Sequence, residues 1–152
     1  MTKTERCRKA CACHATTLNC CQSVLCAFSD LLGMDENACC AVGSGFGAGV
    51  RYGGICGVVS AAVIVLGILY PHTPLNGMEG KLRTTAQVTE YEKRFIERFG
   101  TLECRNLRDQ TGVRGTDTCA ALGTETACDT YIVSATELLC DMLEEIQQEE
   151  KR

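Results

Sequence analysis

Tryptophan is absent from this chain, proline occurs only at Pro71 and Pro74, and aromatic residues make up 5% of the 152 positions. Scarce proline suits a helical chain, because each proline inside a helix removes a hydrogen bond and adds a clash. Positive charge is not in excess: 15 Lys and Arg stand against 19 Asp and Glu, a net charge of -4. That argues against an electrostatic nucleic-acid binder, which needs a basic face. No Gly-Lys-Ser/Thr sequence occurs, so there is no Walker loop. The glycine-rich stretch fails the Gly-x-Gly-x-x-Gly fingerprint, since Val50 and Tyr52 fall where glycine is needed. The one membrane-span candidate, residues 54–70, is 17 residues long, short of the roughly 20 that a span wants. Gly57, Ser60 and Gly67 also interrupt it, so it reads as a buried central helix. The start, Met1 to Lys9, is polar and basic with no apolar stretch after it, which is not the pattern of a secretory signal. The expectation is a cytoplasmic chain.

What the chain has in abundance is cysteine, 13 in all. A secreted protein would use such thiols as staples, whereas a cytosolic one keeps them reduced, so the density points to metal, cluster or redox chemistry. The count is odd, so at least one thiol stays unpaired in a fully oxidised monomer.

The hydrophobic periodicity predicts an all-α, single-domain helical bundle. Leu18, Cys21, Leu25, Phe28 and Leu32 step by three and four, giving a helix over 16–32 that ends at Gly33. Asp35 caps a short helix carrying Cys39 and Cys40. The apolar run over about 54–70 is the buried central helix. Val88, Tyr91, Phe95 and Phe99 mark a helix over 81–99 closed by Gly100. Thr101 caps a short helix with Cys104 in its first turn. Cys128, Ile132, Ala135, Leu139, Met142 and Ile146 form a bundle-type seam over 125–148. The expected organisation is a Cys-rich N-terminal arm (1–15), a helical redox domain (16–148) and a charged tail (149–152).

Several of these pieces carry a resemblance. Asn19-Cys20-Cys21-Gln22, the glycine-rich Gly53-Gly54-Ile55-Cys56-Gly57-Val58-Val59-Ser60-Ala61, and the later Cys104 and Cys128 together resemble the C_GCAxxG_C_C family of redox-active proteins, which has four characteristic cysteines. Residues 16 to 143 carry the likeness. Val58 stands where the family motif has alanine and Ala61 where it has its final glycine, both small-to-small changes. By position the resemblance implies Cys20, Cys56, Cys104 and Cys128 as the four cysteines. Cys21 competes with Cys20, and Cys119 with Cys128.

Four thiolates around one point bind an iron–sulfur cluster or a zinc ion, and two pairs of thiols cycle between dithiol and disulfide. Cys104, in a helix first turn beside Arg105 and Arg108, is the expected activated thiolate, with Cys56 as its catalytic companion. Arg51 and Tyr52 are candidates to line a pocket beside Cys56. Cys7, Cys11, Cys13 and Cys21 form a second candidate metal set, since short spacing lets ligands reach one ion. Neither His14 nor His72 sits in a recognisable nucleophile triad. Cys26, Cys140 and Cys119 read as small buried hydrophobes. The leading expectation is an iron–sulfur electron-transfer protein working beside an oxidoreductase, with a redox partner protein. A metal-free thiol–disulfide protein and a zinc- or copper-handling protein are the alternatives, and a homodimer sharing the cluster is a further expectation. No nucleic acid and no membrane are expected as partners.

Overall fold

Helices begin in this protein where the sequence supplies caps. The computed structural model describes residues 1–152 and contains nine α-helices and no sheet. Thr2 and Glu5 make a reciprocal capping box that starts α1, Lys3–His14. Asn19 and Gln22 do the same for α2, Cys20–Ala27. The predicted 16–32 helix is therefore broken: Phe28 leaves helical geometry, a short α3 follows at Ser29–Leu32, and left-handed Gly33 closes it. Asp35 caps α4, Glu36–Gly43, as expected.

The apolar run becomes α5, Gly57–Leu69. Val58, Val59, Ala61, Ala62, Val65 and Leu66 are buried, while Ile68 at the far end is 41% exposed. No helix is long and apolar enough to cross a membrane. The long α6, Gly77–Phe99, starts four residues earlier than predicted and ends at Gly100. Two short helices follow, α7 at Cys104–Asp109 and α8 at Asp117–Leu122. Glu103 takes the cap position of α7 predicted for Thr101, whose hydroxyl accepts from the Glu103 amide. A third capping box, Thr126 with Asp129, starts α9, Ala127–Glu150.

The expected N-terminal arm is not an arm. α1 packs along α9 and α2, with Cys7 and Ala10 fully buried. Arg6 crosses the interface: its guanidinium donates to Ala27 O (2.7 Å) and to both Asp30 carboxylate oxygens (2.6 and 2.9 Å), above the Phe28 ring. The charged tail is likewise partly helix, for α9 runs on to Glu150. Ion pairs Arg83–Glu150 and Arg94–Glu145 fasten its end to α6.

α2 and α5 lie at the centre. α2 touches α1, α4, α5 and α9, and α5 touches α2, α6 and α9. One core joins them, with Tyr91, Phe95, Phe99 and Tyr131 forming a chain of aromatic contacts between α6 and α9. Ring pairs at such spacings add stabilisation beyond the area they bury.

Candidate functional site

Two backbone features bring distant cysteines together. Residues 54 and 103 lie in segments that meet as an isolated antiparallel bridge: Ile55 pairs with Glu103, the Cys56 amide donates to Leu102 O (2.8 Å) and the Cys104 amide donates to Gly54 O (2.7 Å). Cys56 and Cys104 are thereby placed side by side. Gly57 supplies the second feature. A Cβ there would lie 3.0 Å from the Cys21 amide nitrogen and 3.3 Å from Cys20 Cβ, so the first turn of α5 sits directly on the first turn of α2.

The result is a cavity of about 230 Å³ lined by Cys20, Cys56, Cys104 and Cys128, together with His14, Asn19, Ala48, Gly57, Leu107, Arg108 and Tyr131. Each cysteine stands at the start of a different helix. Cys20 opens α2, Cys56 caps α5, Cys104 opens α7, and Cys128 lies in the first turn of α9. Helix N-termini carry positive partial charge and free amides, which favour a thiolate or an anionic group. The cavity is complete within one chain, so no second copy is needed to gather its cysteines.

The wall at Ala48 is a left-handed turn. Ala48, Val50 and Arg51 have φ of 52°, 57° and 61°, and each non-glycine residue held there costs about 1–3 kcal/mol. Gly49 sits among them at φ 62°. A side chain there is excluded twice, because a Cβ would fall 2.6 Å from the Gly54 backbone and 2.9 Å from Cys104 Cβ. Arg51 and Tyr52, expected beside Cys56, point elsewhere. Tyr52 is 82% exposed under the Arg105 guanidinium, and Arg105 donates to the carbonyls of Tyr52 and Gly53. Arg108 is the cation at the cavity.

The thiol held low is Cys128, down to about 6. The Cys20 thiol donates to it, and His14 and Arg108 add positive charge, against the opposing effect of burial. Cys20, the donor, is correspondingly pushed up, first by that hydrogen bond and then by burial. Burial pushes Cys56 up to about 11, resisted by the amides of Val58 and Val59. His14 Nδ1 lies 2.8 Å from Asp129 Oδ1, and its Nε2 lies 4.0 Å from Cys20 Sγ. The chain thus lines up Asp129, His14, Cys20 and Cys128. From the sequence, His14 is assigned to no nucleophile triad and Asp129 carries no role. The available signal was that each directly follows a cysteine, Cys13-His14 and Cys128-Asp129.

The two competing cysteines stand outside this cavity. Cys21 is fully buried in the core. Cys119 forms a separate small cluster with Cys7 and Val133, near Thr130 O and Ser134 Oγ. The proposed set of Cys7, Cys11, Cys13 and Cys21 is not brought together. Cys11 and Cys13 are two residues apart on α1, about 200° around the helix. Cys7 and Cys11 accordingly face α8 and α9, while Cys13 packs into the main core. No three His, Cys, Asp or Glu side chains converge closely enough to hold a single metal ion.

A family model described as "Putative redox-active protein (C_GCAxxG_C_C)" matches residues 18–142. The chain belongs to that family. Neither curated proteins nor solved structures give a match. The matched span begins just before the Cys20 cap and takes in all four cysteines of the cavity, but it leaves out α1, which contributes His14.

Proposed function

We propose that this redox-family protein uses the four cysteines of the cavity as ligands for an iron–sulfur cluster and passes electrons to a partner oxidoreductase. One observation carries the reading: four cysteines, from four different helix starts, line one cavity of about 230 Å³. Their number and type fit the all-thiolate ligation of such clusters. The width of the space and the lack of convergence on one point favour a multi-atom group over a single zinc ion. When bound, the cluster would supply one-electron chemistry. The chain's own part is to offset the negative charge of four thiolates, which four helix N-termini and Arg108 do. Leu107 and Tyr131 restrict water on one side; the Tyr131 hydroxyl is held by donation to Leu107 O at 2.8 Å. Val50, Tyr52 and Ile55 are exposed apolar side chains in the segment leading to Cys56, the kind of surface a transient redox partner contacts.

A second reading is favoured by a specific contact. The Cys20–Cys128 pair, one thiol pushed up and the other held low, is the asymmetric arrangement of a dithiol that exchanges with disulfides. Anaerobic purification with absorption and iron analysis separates the two. Stoichiometric iron with a broad visible band, lost in Cys20→Ala and Cys56→Ala, supports the cluster. A colourless, metal-free protein that forms a Cys20–Cys128 disulfide overturns it in favour of thiol exchange.

A further inference from the structure

Outside the cavity a second group of thiols comes together from three helices. Cys26 Sγ on α2 lies 3.2 Å from Cys40 Sγ on α4. Cys13 on α1 lies beside this pair, near enough for both Cys26 and Cys40 to influence its ionisation. Cys26 is 1% exposed, whereas Cys13 and Cys40 are half-buried and open the group to solvent. Read from sequence, Cys26 is a filler of the core. Its placement is different: it faces Cys40 across the α2–α4 seam and lies beside Cys13 of α1. Adjacent cysteines such as Cys39 and Cys40 cannot bridge without strain, but residues on separate helices can. A disulfide places its sulfurs at about 2.05 Å, so closing the 3.2 Å gap asks for a movement of roughly 1 Å.

We propose that Cys26 and Cys40 are a second dithiol–disulfide site, distinct from the four-cysteine cavity, which cross-links α2 to α4 when oxidised by a small disulfide of the glutathione class and is reopened through Cys13. The oxidation balances without a metal. The Cys40 thiolate attacks one sulfur of the external disulfide, forming a mixed disulfide and expelling one thiolate, which takes a proton to become a thiol. Cys26 then loses its proton to solvent and attacks the Cys40 sulfur. The mixed bond breaks and the second external thiol leaves. Two protein thiols are oxidised and one external disulfide is reduced to two thiols. In the return direction Cys13 attacks the Cys26 sulfur, freeing Cys40 and moving the bond to the α1–α2 seam, where an external thiol can reduce it.

The location gives the bond a structural consequence. The α2–α4 seam runs from this dithiol toward the cavity, held by Gln22 Nε2 donating to Cys40 O (3.0 Å) and Asn19 Nδ2 donating to the carbonyls of Gly43 and Ser44 (3.2 Å each). Asn19 itself lines the cavity and Cys20 follows it. Oxidation therefore fixes one wall of the four-cysteine cavity. The proposal stands on the placement of Cys13, Cys26 and Cys40 and does not depend on what the cavity holds.

The test uses the full chain, reduced and anaerobic, equilibrated in mixtures of reduced and oxidised glutathione. The reaction is quenched with acid and free thiols are blocked with N-ethylmaleimide. Digestion follows acidic residues, because Asp30, Asp35 and Glu36 lie between the two cysteines while no Lys or Arg occurs from 10 to 50. The expected result is a linked peptide pair joining Cys26 to Cys40. Cys39→Ser retains it and Cys40→Ser loses it, with helical circular dichroism unchanged in both. Cys13→Ser reaches the same final oxidised fraction but reopens several-fold more slowly with reduced glutathione. The proposal is overturned if the helical wild-type protein gives no such pair at any glutathione ratio. It is equally overturned if Cys26 links to Cys39 as readily as to Cys40.

Discussion

Cys128 shows how a residue's chemistry is set by its neighbours. A thiol ordinarily titrates at about 8.5, but the Cys20 thiol, His14 and Arg108 hold Cys128 down to about 6. Alkylation of metal-free, reduced protein by iodoacetamide should therefore modify Cys128 with a pH midpoint near 6. Cys20→Ala should move that midpoint upward the most and His14→Ala by less; peptide mapping of the alkylated site reads both. The same shifts govern stability against pH. Cys128 is depressed in the fold, so its contribution grows as pH rises from about 6 toward the unfolded value and is lost as pH falls through 6. Cys7 and Cys21 are pushed up to about 12 and Cys56 and Cys140 to about 11, all first by burial. These are acids with raised values: above about pH 8.5 the unfolded chain releases their protons and the folded chain does not, so stability falls. Urea midpoints under a non-thiol reductant should rise from pH 6 to 8 and drop by pH 10. A midpoint that does not drop by pH 10 would show that these thiols ionise inside the fold.

At the scale of elements, the close contacts of glycine decide the site. Gly57→Val would push the start of α5 off α2, because the Cys21 backbone and the Cys20 side chain already occupy the space. The expected outcome is a helical protein in which Cys128 loses its low titration and its reactivity toward iodoacetamide. Gly49→Ala combines a left-handed backbone with contacts to Gly54 and Cys104, and should cost about 1–3 kcal/mol from the backbone alone, read as a lower urea midpoint. In the body of α5, Leu66 is fully buried and Leu66→Ala should cost about 2–5 kcal/mol while leaving the titration of Cys128 unchanged. These elements were legible to different degrees. The α6 seam and its Gly100 stop, the Asp35 cap and the α9 seam are local patterns, and the structure keeps them. The helix expected over 16–32 was too long, because its apolar spacing hides a break at Phe28 that only tertiary packing imposes. α1 was missed as a helix, although Thr2 and Glu5 are spaced as a capping box. Its weakly patterned sequence carries Cys7, Ala10 and Cys13, small residues whose burial does not show as an apolar stripe.

For the whole molecule, α1 is the piece that joins the bundle's outer shell to its site. It covers α2 and α9, buries Arg6 between them and delivers His14 to the cavity. Deleting residues 2–15 should expose the α2–α9 seam and yield a protein that no longer unfolds cooperatively. Arg6→Ala, which removes three hydrogen bonds from one buried guanidinium, should cost about 2 kcal/mol and leave the fold intact. Thermal unfolding followed by circular dichroism checks both; a cooperative, fully stable truncated chain would return residues 1–15 to the status of an arm. By itself the sequence determined the helical class, the apolar central helix and the abundance of cysteine, because periodicity, charge and residue type are local properties. It also placed Cys104 in a helix first turn and Cys128 on the seam of the last helix. Only the tertiary structure decided that Cys20, Cys56, Cys104 and Cys128 share one cavity while Cys21 and Cys119 do not, that Cys26 meets Cys40, and that Cys13 parts from Cys7 and Cys11. Those outcomes depend on which helix faces meet, on a single bridge between Ile55 and Glu103 and on one missing Cβ at Gly57. Contacts between residues far apart in the chain leave no spacing for the sequence to record.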